Sequence, residues 1–98
     1  MFMNQNNLKV YGKPNIEPGF TDIYLEVSGD PHLIATERLP EGFANVLRRK
    51  IRVEELDHWN GKRSLRGCPR RFINSAMLRA CVNNLLEAVE DYIYYELN

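Results

Sequence analysis

The chain predicts an α+β fold: a small antiparallel β-hairpin or sheet in the N-terminal half, packed by a short helix and one long C-terminal amphipathic helix. Three observations carry this. Residues 22–28 alternate, with Ile23, Leu25 and Val27 on one side and Tyr24, Glu26 and Ser28 on the other, the period of a half-buried strand. Ser28-Gly29-Asp30-Pro31 then supplies the residues of a tight turn. From Phe72 to Leu97 there is neither Gly nor Pro, and Leu78, Val82, Leu85, Val89, Ile93 and Leu97 form one stripe at helical spacing.

Taken in chain order, residues 1–20 read as a loosely structured arm. The polar run Asn4-Gln5-Asn6-Asn7 is followed by Gly12, Pro14, Pro18 and Gly19, which favour turns or extended chain. Within that arm Leu8-Lys9-Val10-Tyr11 alternates over a length that suits a short edge strand at 8–11. Residues 21–98 read as a single α+β domain. After the strand at 22–28, the segment His32 to Leu39 is expected to return as the antiparallel hairpin partner, although Leu33-Ile34-Ala35 is an apolar run and not an alternation.

Pro40 ends that strand. Phe43, Val46, Leu47 and Ile51 share a helical face, so a helix is expected from about Glu41 to near Lys50 or Arg52, followed by a shorter helical or irregular piece reaching Trp59. Ile51-Arg52-Val53 also alternates as a strand would, which leaves 51–59 open between helix and strand. Asn60-Gly61 is a strong break. In the long C-terminal helix a second row, Met77, Cys81, Ala88 and Tyr92, widens the apolar face beyond what a hairpin and one short helix cover. The two readings of that width are a core helix of a monomer and a homo-oligomer seam along the C-terminal helix.

The 98 residues, 44% of them apolar, are enough for one modest core without metal or disulfide staples. The formal charge is zero, yet it is sorted: ten of the thirteen Lys and Arg residues lie between Arg48 and Arg79, and no acid stands between Asp57 and Glu87. Cys68 and Cys81 form no CxxC motif, no secretory signal opens the chain, and no apolar run approaches the roughly 20 residues of a membrane helix. These features lead to the expectation of a reduced, cytoplasmic protein with no membrane partner.

The acid-free segment holds Lys62, Arg63, Arg66, Arg70 and Arg71 in a Gly-bounded basic loop that leads to the start of the long helix. A helix N-terminus already carries about half a positive charge, so arginines gathered there call for an anion. These five residues, with Trp59 beside them as an aromatic, are the candidate anion- or partner-binding set. Tyr92, Tyr94 and Tyr95 cannot all face one core, which makes Tyr94 and Tyr95 candidate interface residues. Gly61-Lys62-Arg63-Ser64 lacks the spacing of a Walker loop. His32, His58, Cys68 and Cys81 show no metal-ligand spacing, and neither His is placed to serve Cys68 as a base. No catalytic residue, metal or cofactor is therefore expected.

Function narrows to binding. The leading expectation is a small non-enzymatic accessory or inhibitor protein, of the kind phages and mobile elements encode. It would dock through the Arg-rich loop and the C-terminal helix on a larger protein partner that processes nucleic acid. One alternative is a nucleic-acid-binding module that touches phosphates through the loop. The other is an oligomeric binder of an anionic nucleotide. Between Gly61 and Arg71 no aromatic interleaves with the basic residues, and this tilts the sequence reading towards a protein carboxylate as the anion.

Overall fold

Four strands pair in the order β3-β2-β1-β4, every neighbouring pair antiparallel. The computed structural model describes residues 8–59 and 75–97. The strands are β1 Leu8–Pro14, β2 Phe20–Val27, β3 Asp30–Arg38 and β4 Ile51–Arg52; the helices are α1 Glu41–Val46, α2 Val53–Trp59 and α3 Ser75–Tyr92, the last continuing into a π-helical turn, Ile93–Leu97. The α+β class is the one the alternation and the C-terminal stripe predict.

From Leu8 the chain is already in the sheet. β1 lies between β2 and β4, so the Leu8–Tyr11 segment is an interior strand and not an edge. Leu8 and Val10 are fully buried, and each is opposed by an apolar or buried position, Val27 and Leu25. Burying two aliphatic side chains contributes about 1.5–3 kcal/mol each, which outweighs the turn-forming residues around them.

The hairpin between β2 and β3 turns on two residues, Ser28 (φ 51°) and Gly29 (φ 87°). Positive φ at both central positions is the geometry that matches strand twist, so β3 starts at Asp30, before the expected His32. The Leu33-Ile34-Ala35 run is also explained. Tyr24 is opposite Leu33 and Ile23 opposite Ala35, so Ile34 is an extra residue in a bulge and packs against the core.

α1 is shorter than its helical spacing suggests. The backbone carbonyl of Leu47 accepts the Gly12 N–H of β1 at 2.7 Å, and Ile51 pairs with Val10 at 1% exposure. Sheet pairing thus takes up the segment that would have extended the helix. The ambiguity at 51–59 resolves as both: a two-residue strand, then a helix.

All three helices supply one core against one sheet face. Ile23, Leu25 and Ile51 from the sheet meet Phe43 of α1 and Leu47 just after it, Leu56 of α2, and Val82, Leu85 and Val89 of α3. Cys81 and Leu86 are both buried, so the broad apolar face of α3 is largely covered by this chain's own sheet and α2. Met77, at 42% exposure, is the member of the second row left outside. Among the described residues no helix is long and apolar enough to cross a membrane.

Candidate functional site

With the helices on one face, strand parity sends every second residue of β1, β2 and β3 to the other. Reading across the strands gives rows of residues at cross-strand partners. Arg38 lies opposite Phe20. Thr36, Asp22 and Lys13 form the next row, then Leu33, Tyr24 and Tyr11, then Pro31, Glu26, Lys9 and Arg52. Aromatic and charged rows therefore alternate along the sheet.

The rings and the cations are in contact. Tyr11 and Tyr24 stack with centroids 5.4 Å apart and planes within 15°. The Lys13 ammonium lies 5.9 Å from the Tyr11 centroid and 5.7 Å from that of Tyr24, and Lys50 lies 5.6 Å from Tyr11. Arg38 sits 4.9 Å over Phe20. Each ring quadrupole holds a cation near its face, so these long side chains are partly ordered before any ligand arrives.

The face carries two carboxylates, and both are engaged internally. Asp22 accepts hydrogen bonds from Asn15 Nδ2 (2.7 Å) and Thr36 Oγ1 (2.8 Å). Glu26 accepts from Lys50 Nζ at 2.5 Å, and this hydrogen bond, with the carboxylate charge behind it, raises the Lys50 pKa above the ordinary lysine range. Arg52 pairs with Glu54 at 3.4 Å. Lys9, Lys13 and Arg38 have no carboxylate partner within salt-bridge distance among the described residues. Lys9 stands between Arg52 on one side and Glu26 on the other, so its row mixes like and opposite charges.

Where β1 and β2 approach each other at the sheet's rim, a cavity of about 370 Å³ opens between the sheet and α1. Lys13 and Phe20 belong to both the open face and this cavity, and Arg48 and Glu41 add charge from the helical side. Thr21, the buried polar residue among those described, also lines it.

Of the residues singled out in the sequence, Lys62, Arg63, Arg66, Arg70 and Arg71 lie outside the described residues. Trp59 is the last residue of α2. Tyr94 and Tyr95 stand on the π-helical turn at 69% and 73% exposure, their rings edge to face at 4.8 Å. Tyr92 is turned inwards and shares a hydrogen bond with His32. Among the described residues no cluster of three or more His, Cys, Asp or Glu is arranged to hold a metal ion.

The sheet-face set does not stand out in the sequence, because its members are scattered along the chain while the arginines of 62–71 form one dense run. The signal was present: Lys9, Tyr11 and Lys13 alternate on one parity, and Phe20, Asp22, Tyr24 and Glu26 on another. Only the β1–β2 register places the two series side by side. No protein-family model matches this chain, nor does any curated protein or solved structure, so its functional reading rests on the geometry of this face.

Proposed function

We propose that the protein is a non-enzymatic nucleic-acid-binding module that holds a single strand across the open face of its sheet. The observation that carries this is the Tyr11–Tyr24 stack with Lys13 and Lys50 held beside it. Single strands are bound sequence-tolerantly by grooves that combine cations for the backbone with apolar and aromatic surface for the bases. Here Lys9, Lys13 and Arg38 would meet phosphates, while Leu33, 54% exposed, and the half-buried Tyr24 ring beside it would meet bases; Tyr11, at 9% exposure, braces the Tyr24 ring and is not itself a contact surface. An antiparallel sheet with helices on one face and aromatics on the other is a surface that single-stranded RNA readers also use, which is an analogy of architecture and not a kinship.

The test is fluorescence anisotropy with a labelled single-stranded oligonucleotide at ~50 mM salt, where electrostatic binding is strong. Saturable binding that weakens in Lys13→Glu and in Tyr24→Ala is expected. Absence of binding to both DNA and RNA at this salt would sink the proposal.

A second reading is favoured by a different observation. Tyr94 and Tyr95 expose two adjacent rings at the end of α3, next to the exposed carboxylate side chain of Glu96. Tyrosines so placed suit a protein interface, as the accessory or inhibitor reading expects, with a larger protein as partner. Tyr94→Ser with Tyr95→Ser would then abolish recovery of a stoichiometric partner from a host lysate, while leaving oligonucleotide binding unchanged.

A further inference from the structure

We infer that the cavity at the sheet's rim binds a nucleoside monophosphate unit, as the terminal nucleotide of a strand lying on the open face. The strand-end part of this inference rests on the sheet-face reading; the cavity's own chemistry does not. Its volume, about 370 Å³, lies within the range of small-ligand sites. Two cations, Lys13 and Arg48, face it together with one carboxylate, Glu41. Such a lining suits a ligand that is anionic at one end and offers N–H donors at the other, which describes a phosphate joined to a base. Neither cation has a carboxylate partner within salt-bridge distance among the described residues, so a phosphate would meet charges that are not already neutralised.

The remaining lining fits the same ligand. Phe20 offers partly exposed aromatic surface, and Thr21 and Asn45 add a hydroxyl and an amide. Continuity with the sheet face is structural: Lys13 stacks over Tyr11 and Tyr24 on one side and lines the cavity on the other. A strand running along the aromatic rows reaches the cavity at the Phe20 end, where its terminal nucleotide would lie between the sheet and α1.

The experiment has two arms on the full chain. In the first, AMP and adenosine are titrated into ¹⁵N-labelled protein. Saturable amide shifts at Lys13, Thr21, Asn45 and Arg48 are expected with AMP and much weaker ones with adenosine, and Arg48→Gln is expected to weaken AMP by about tenfold, the loss of a charged hydrogen bond. In the second, a circular single-stranded DNA competes with linear oligonucleotides carrying or lacking terminal phosphates. Phosphorylated linear strands are expected to win, and Arg48→Gln to remove that advantage while leaving the circular strand's affinity unchanged. Tyr24→Ala should do the reverse, weakening the circular strand and sparing AMP.

The outcomes separate. If the circular strand binds but AMP shifts nothing at the cavity, the inference is overturned and the sheet-face reading stands. If AMP binds and no strand does, the strand-end assignment is overturned together with the sheet-face reading. If Arg48→Gln fails to fold, Asn45→Asp, at an exposed position, carries the same test by setting a carboxylate against the phosphate.

Discussion

His32 Nδ1 and the Tyr92 hydroxyl lie 2.7 Å apart, joining the edge strand β3 to the last turn of α3 across sixty residues of sequence. The rings also meet, with centroids 5.5 Å apart and tilted by 58°. The bond is part-buried and fastens the C-terminal helix to the far side of the sheet. Tyr92→Phe keeps the ring and removes the hydroxyl, so it should cost about 0.5–1.5 kcal/mol in urea unfolding. A double-mutant cycle with His32→Ala should return a coupling energy of the same order; additive effects would show that the two groups act separately.

Gly12 is where β1 cannot carry a side chain. A Cβ there would meet Thr21 Cγ2 at 2.7 Å and Leu47 Cβ at 3.3 Å, at the point where the Gly12 N–H binds the Leu47 carbonyl. Gly12→Ala is expected to destabilise by about 1–3 kcal/mol, the usual cost of overpacking. Thr21→Ser removes the clashing methyl, so the double variant should recover part of that loss in thermal unfolding.

The raised pKa of Lys50 makes a directional statement about alkaline stability. Its charged form is favoured in the folded protein by the hydrogen bond to Glu26, then by the Glu26 charge. The contribution is therefore complete below the ordinary lysine value of 10.5 and fades as pH rises through the higher folded value. The stability difference between wild type and Lys50→Met should be flat from neutral pH to about 10 and shrink above it. A difference that grows at alkaline pH would contradict the assignment.

Core and surface of α3 should respond differently. Leu85 is 2% exposed within the cluster that joins α3 to the sheet, so Leu85→Ala should cost about 2–5 kcal/mol. Tyr95→Ser, at 73% exposure, should change stability by no more than about 0.5 kcal/mol. Denaturant unfolding of the two variants checks the contrast, and it also shows that the tyrosine variants used to test partner docking remain folded.

Three cations of the sheet face, Lys9, Lys13 and Arg38, lack carboxylate partners among the described residues. If each meets one phosphate, the slope of log K against log salt for a single strand should be about −2, and Lys13→Gln should flatten it by about 0.7. Anisotropy titrations over a series of salt concentrations measure both. A slope near zero would mean that phosphates are not what this face holds.

Much of the fold was legible in short-range pattern. The Ile23, Leu25, Val27 alternation, the turn at Ser28-Gly29 and the Val82, Leu85, Val89 stripe each describe an element within a dozen residues of sequence, because strand and helix periods are local. The position of β1 was not legible that way. Its turn-forming neighbours suggested an arm, and what holds it inside the sheet is pairing with β2 on one side and with Ile51–Arg52, some forty residues on, at the other.

The same distinction separates the two candidate sites. A run of arginines is visible in the sequence because its members are neighbours along the chain. The sheet-face set joins Lys9, Tyr11 and Lys13 to Phe20 and Tyr24, to Arg38, and to Lys50, four segments that approach one another only through strand register. Which residue types occur, and with what period, followed from the chain alone. Which of them share a surface followed from backbone pairing between distant segments, since a shift of one residue in β1 would have sent Tyr11 to the opposite face.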